Sequence, residues 1–162
     1  MTLQQAFVKT DRISDLENII LDRLNSPPDE PNQQPDVGVP NSYDSTLALD
    51  KKRKVAISNV VNGWVSILES NEVNDYKMLL NISTTLATEV FAIVLYDVSG
   101  SYGFCNIIKG TVTESNFSEE DPEIMEHISE KLRDKNIALP ICKYYHVASR
   151  QIPGWKLLKA LR

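Results

Sequence analysis

Histidine, cysteine and tryptophan occur only twice each in these 162 residues, and glycine only six times. Each scarcity closes a class of function. Two cysteines, Cys105 and Cys142, do not make a disulfide framework, so the chain reads as a cytoplasmic protein with two free thiols. The sequons at Asn81 and Asn116 are idle in such a compartment. His127 lies on a charged helix between Glu123 and Glu130 and matches no metalloprotease pattern. His146 follows Tyr144-Tyr145 with no partner indicated, and nothing in the surrounding LPICKYY supports Cys142 and His146 as a nucleophile and its base. Gly100 and Gly103 fall between two strands, whereas a phosphate-binding loop needs a strand followed by a helix. No apolar run approaches the roughly 20 residues of a membrane span. The start, MTLQQAFVKTDR, lacks the basic-then-apolar layout of an export signal. The sequence therefore predicts no catalytic residue, cofactor or metal, and no membrane contact.

What is present is an ordinary globular composition, 42% hydrophobic and 24% charged. A chain of this size buries roughly 70% of its unfolded surface without covalent staples. Residues 1–162 are expected to form a single α+β domain. The net charge of −5 argues against nucleic acid as a partner. That charge is uneven. Glu114 to Glu126 contains acidic residues and no basic one. Ile141 to Arg162 contains Lys143, Arg150, Lys156, Lys159 and Arg162 and no acidic residue. An acidic body with a basic tail folded onto it is the expectation.

Hydrophobic period then places the elements. Ala6 to Lys9 is a short strand. Ile13, Leu16, Ile19, Ile20 and Leu24 mark one face of a helix capped by Thr10 or Asp11. About residues 26–45, SPPDEPNQQPDVGVPNSYDS, hold five of the eight prolines and predict a mobile insertion within the domain. Lys51-Lys52-Arg53-Lys54 reads as a solvated start to a strand ending at Ser58. Asn62-Gly63 predicts a hairpin turn with Trp64, Ser66 and Leu68 on one face and Val65 and Ile67 on the other. Asn74 or Asp75 caps a second helix. VFAIVLY, Val90 to Tyr96, has the composition of a strand buried on both faces. A hairpin turning at Lys109-Gly110 follows, then a third helix with Ile124, Ile128 and Leu132 inward. Leu139 to Tyr145 is a candidate strand, and Trp155, Leu158 and Leu161 predict a short terminal helix. This order predicts a ferredoxin-like split βαβ (βαββαβ) sheet, extended by a C-terminal hairpin and helix.

Four residues are candidates for contact with a ligand or partner. Asp97 ends the most buried strand, and Trp64, Tyr102 and Trp155 could anchor an interface. The run NGWVSILES, then LATEVFAIVLYDVSGSYGF and a turn at Lys109-Gly110, resembles a loosely defined group of uncharacterised small bacterial α/β proteins with an Asn-Gly-Trp strand motif. The resemblance spans residues 55–114 and rests on Gly63, Trp64, Asp97, Tyr102 and Gly110. It implies a small α/β protein and carries no activity. The expected function is a non-enzymatic protein-binding module with an unknown protein partner, such as an immunity or inhibitor protein. The competing expectation is an enzymatic or small-molecule-binding domain with a pocket between sheet and helices.

Overall fold

The strand that organises the molecule is one of the least hydrophobic. β1 (Thr2–Lys9, TLQQAFVK) lies at the centre of a seven-stranded sheet, and Gln4 to Val8 are buried. The computed structural model describes residues 2–27, 53–69, 75–96, 101–119, 123–138 and 155–159. In these, α1 (Ile13–Asn25) is followed by β2 (Lys54–Ser58), β3 (Trp64–Glu69), α2 (Tyr76–Thr85), β4 (Glu89–Tyr96), β5 (Ser101–Ile108), β6 (Thr111–Glu119), α3 (Glu123–Asp134) and β7 (Trp155–Lys159). The strand order is β6-β5-β4-β1-β3-β2-β7, and every neighbouring pair is antiparallel.

The ferredoxin-like split βαβ architecture is corrected by this topology. One antiparallel sheet runs through all seven strands. It grows beyond β4 through the β5–β6 hairpin and beyond β2 through β7. The terminal helix expected from Trp155 is the strand β7, paired with β2 from Ser58↔Trp155 to Lys54↔Lys159. The physical reason lies in the pattern. Trp155 and Leu158 are three apart, as on a helix face, but only Leu158 is buried, and five residues are too few for spacing to decide between helix and strand. The unpaired edge of β2 then supplies backbone partners that a helix of about five residues would not need but could hardly sustain alone. The insertion at 26–45 beyond Pro27 and the candidate strand 139–145 lie outside the described residues.

Alternation along the strands fills both faces. On one face, α1 and α2 cover Ala6, Val8, Val55, Ile57, Val65, Ile67, Val90, Ala92, Cys105, Ile107 and Leu158. On the other, α3 lies over an aromatic floor of Phe7, Trp64, Phe91 and Phe104, to which it contributes Ile124 and Ile128. The hairpin faces predicted around Trp64 are those found. Polar residues inside the sheet are paired. Gln5 is fully buried and its Nε2 donates to Ser66 Oγ across β1 and β3 at 2.7 Å. Helix α1 begins at Arg12 with no side-chain cap, and Thr10 Oγ1 instead accepts the Arg12 N–H at 3.0 Å. Asp75 caps α2 as expected, accepting from Met78 N at 3.1 Å.

Two tight turns place glycine where only glycine is comfortable. Gly63 and Gly110 both have φ of +79°. A Cβ on Gly63 would meet open space, whereas on Gly110 it would lie 2.0 Å from Thr84 Oγ1. Gly63→Ala is therefore expected to cost only the left-handed penalty, about 1 kcal/mol. Gly110→Ala should cost about 1–3 kcal/mol more through overpacking. Equal losses in chemical denaturation would contradict the clash.

Candidate functional site: a buried charge cluster and an acidic ridge

Two groups of charged side chains stand out, and they differ in what they can reach. The first is closed. Arg23 ends α1, Arg53 precedes β2, Glu69 ends β3 and Asp75 opens α2. Arg23 Nε lies 2.7 Å from Asp75 Oδ2, and Arg53 Nη2 lies 2.7 Å from Glu69 Oε2 and 2.9 Å from Asp75 Oδ2. The backbone N–H of Asp75 donates to Glu69 Oε1 at 2.7 Å. Side-chain exposure is only 5% for Glu69 and 11% for Asp75. Two cations and two anions cancel, which is the condition for tolerating such burial.

The two carboxylates are not equivalent. Burial pushes both upward. At Glu69 burial wins, reinforced by the charge of Asp75, and the single guanidinium of Arg53 does not offset it, so its carboxyl sits above the ordinary 4.5. At Asp75 burial is outweighed by the Arg23 hydrogen bond and the charges of both guanidiniums, holding it below 3.8. For Arg53, burial works against the charge but Glu69 and Asp75 prevail, and its pKa rises. If the cluster takes up a proton, Glu69 takes it.

This cluster is what sequence reasoning missed. Arg53 belongs to the Lys-Lys-Arg-Lys run expected to be a solvated strand start, yet its side chain is turned onto Glu69 and Asp75. Its partners lie 16 and 22 positions away, beyond any local periodicity. Asp75 alone carried a signal, as a helix cap.

The second group is open. Helix α3 buries Ile124 and Ile128 and exposes Glu126, Glu130 and Asp134. At its side lies β6, whose Glu114 is 46% exposed and meets Lys131 of α3 at 2.7 Å. The acidic stretch that the sequence places at 114–126 is divided, where described, between β6, where Glu114 meets Lys131, and the outer face of α3, which Glu126 shares with the exposed Arg133. Among the described residues no strand pairs with the outer side of β6.

The four candidate contact residues do not converge. Trp64 is 1% exposed, and its Nε1 donates to the carbonyl of Lys135 at 2.9 Å. It is core, and it ties β3 to the end of α3. Tyr102 is half-buried on β5 and packs at the margin of the same aromatic cluster. Trp155 is half-buried on β7, at the opposite edge of the sheet. Asp97, Cys142 and His146 lie outside the described residues. His127 is exposed on α3. Cys105 is free and buried, and its burial pushes the thiol up to about 11, so it is a poor nucleophile near neutrality. Among the described residues no group of three or more His, Cys, Asp or Glu side chains could hold a metal ion. In the same residues no helix is long and apolar enough to cross a membrane. No protein-family model, curated protein or solved structure matches the chain.

Removing the charge of Asp75 leaves two guanidiniums facing one buried carboxylate, so Asp75→Asn should cost about 3 kcal/mol or more. The pH dependence has opposite signs at the two carboxylates. Stability due to Asp75 is present above 3.8 and is lost as pH falls through its lower folded value. Glu69 favours the fold when protonated, so its contribution grows as pH falls through its raised value towards 4.5. In melts from about pH 4 to about pH 8, the wild type should lose ground against Glu69→Gln as the pH rises. A constant offset would show that Glu69 is not shifted upward.

Proposed function

We propose that this chain is a non-enzymatic, cytoplasmic binding module that covers a basic protein surface, as an immunity or inhibitor protein does. The observation that carries the reading is the pair of exposed carboxylates Glu126 and Glu130 on the outer face of α3, where unlike charge would speed and orient association. These side chains face outward from a helix whose inner residues are fixed in the core, so the pair is presented on a rigid support. The four-charge cluster, by contrast, satisfies itself and leaves nothing to engage a substrate.

The competing reading requires space between sheet and helices. On the α1–α2 side that layer is filled by Leu16, Ile20, Met78, Leu79 and Ile82, all exposed by no more than 1%. The free, buried Cys105 thiol is compatible with a reducing compartment.

The test is affinity capture from the native host with wild type and with Glu126→Lys/Glu130→Lys. The wild type should retain one basic protein in stoichiometric amount. Retention should fall with added salt, because exposed charges are screened, and should be lost in the variant. Both positions are exposed on α3, so the fold should persist. A partner held equally by both proteins would remove these carboxylates from the interface.

A further inference from the structure

We infer that Asn62 is a self-modification site: its side-chain amide condenses with the backbone nitrogen of Gly63, loses ammonia and leaves a carboxylate against the end of α3. The co-reactants are water and a base, and no enzyme is required. The inference stands apart from the binding reading above.

Ring closure between an asparagine and the next backbone nitrogen is hindered by the side chain of that next residue, and glycine, with no Cβ, hinders it least. Asn62 and Gly63 are both exposed, and the space around a Cβ on Gly63 holds no atom within 4 Å. The carbonyl of Gly63 accepts from Thr10 N at 2.8 Å, and among the described residues its own N–H meets no backbone acceptor. With φ of +52° at Asn62 and +79° at Gly63 the turn is of type I′, which sets Cγ of Asn62 away from the Gly63 nitrogen. Closure therefore runs from an opened turn. The tip lies beyond the β2–β3 ladder, whose register ends at Ile57↔Ile67. Past it Val61↔Trp64 is an isolated bridge, and Asn59 and Val60 are exposed. A tip with so few covered backbone bonds opens far more readily than the core. Asn62 itself is lightly held, its Nδ2 donating to the carbonyl and Oδ1 of Asn136, both at 3.3 Å.

In the open turn a base takes the Gly63 proton and the nitrogen bonds to Asn62 Cγ. The Cγ–Nδ2 bond breaks, a proton returns to the leaving nitrogen, and ammonia departs. Water then opens the ring. Attack at Cγ gives aspartate, and attack at the backbone carbonyl gives isoaspartate, which lengthens the main chain by a carbon. Nothing is oxidised or reduced. Either product sets acceptor-only oxygens where Nδ2 donated. Asn136 can turn its amide to meet them, but its carbonyl cannot turn, and it follows the C-terminal end of α3, where negative charge is disfavoured. The longer main chain of isoaspartate also displaces Gly63 against Thr10 and Trp64. Trp64 Nε1 donates to the Lys135 carbonyl at 2.9 Å, so the change reaches the same helix end by a second route. The reaction thus releases the end of α3 from the β2–β3 hairpin.

The test ages the folded full chain in mildly alkaline buffer and maps it by peptide mass spectrometry with an isoaspartyl-specific methyl-transfer assay. The peptide holding Asn62 should show an amide exchanged for a carboxylate and should divide between aspartyl and isoaspartyl forms. Asn25, which precedes Ser26, and Asn81, which precedes Ile82, should lag behind it. Asn62→Gln should stay intact, because its longer side chain would have to close a larger ring. By NMR the aged chain should shift the amides of Lys135, Asn136 and Ile137 and the indole N–H of Trp64. Asn62→Asp, which adds the charge without lengthening the main chain, should shift Asn136 and leave the Thr10 amide in place. An Asn62 that stays intact in the folded chain while the denatured chain converts would overturn the site and show that the hairpin locks it. Conversion at Asn25 and Asn81 as fast as at Asn62 would overturn the selection by this turn. Conversion at Asn62 with no shift at Lys135, Asn136 and Ile137 would overturn the release of α3.

Discussion

Two guanidiniums and two carboxylates withdrawn from water at one end of the sheet are the constraint on which the rest depends. Arg23 lies in the last turn of α1, Arg53 just before β2, Glu69 at the end of β3 and Asp75 at the cap of α2. The cluster fixes the end of α1 against the start of α2 and locks β2 and β3 to both. A hydrophobic replacement of the same shape could be equally stable, since the desolvation of four charges offsets much of their attraction. Partial replacement could not be, because any three of the four leave an uncompensated charge with little access to water. Geometry is therefore what the cluster contributes. Asp75 caps Met78 through Oδ1 while its Oδ2 meets both arginines, so one carboxylate joins the start of α2 to α1 and to the approach to β2.

The other face is held differently. α3 crosses the aromatic floor with only two fully buried side chains, Ile124 and Ile128, and it relies on lysines whose stems lie along the rings. Lys131 Nζ is 5.8 Å from the ring centre of Phe104 and Lys135 Nζ is 5.5 Å from that of Phe91. Each also pairs with a strand carboxylate, Lys131 with Glu114 and Lys135 with Glu89. The ammonium groups are attracted both by the ring faces and by the carboxylates. The aliphatic stems cover apolar surface that a shorter residue would leave wet. The end of α3 is secured by Trp64 Nε1 and by Asn62, whose Nδ2 donates to the carbonyl of Asn136. The lysines are spent against the sheet, and Glu126, Glu130 and Asp134 are left towards solvent together with Arg133.

Much of this was legible locally. The stripes of α1, α2 and α3, the buried run of β4, the turns at Asn62-Gly63 and Lys109-Gly110 and the cap at Asp75 each follow from spacing or residue chemistry within a few positions. What depended on distant pairing was not legible. The strand expected over Ala6–Lys9 begins at Thr2 and takes in Gln4 and Gln5, and only the partner Ser66, 61 positions on, explains how Gln5 sits at the centre of the sheet. The strand nature of Trp155–Lys159 depends on β2 having a vacant side. Arg53 reads as one of four surface cations until Glu69 and Asp75 are folded beneath it. The acidic stretch was visible as composition, but its division between β6, where Lys131 meets Glu114, and the outer face of α3 required the register of β6 and the orientation of α3.

The charge carried by β6, the last strand on its side of the sheet among the described residues, bears on an old ambiguity in sheet proteins. Charge on an edge strand commonly serves to prevent pairing, and a β-bulge such as the register shift between Asn106 and Ile107 serves the same end by twisting the strand. Both are present in β6, which could be read as a purely defensive edge. The distribution of charge argues for more. A guard against all pairing works best with mixed or inward charge and a short strand, whereas β6 has nine residues and keeps half-covered apolar side chains on one face. The bulge lies near its start and leaves Glu114 to Glu119 in regular register with β5. Carboxylates of one sign repel another copy of the same acidic chain and attract a strand of opposite charge. Under the binding reading proposed above, exclusion of self and admission of a basic partner would be the same electrostatic term evaluated for two different neighbours.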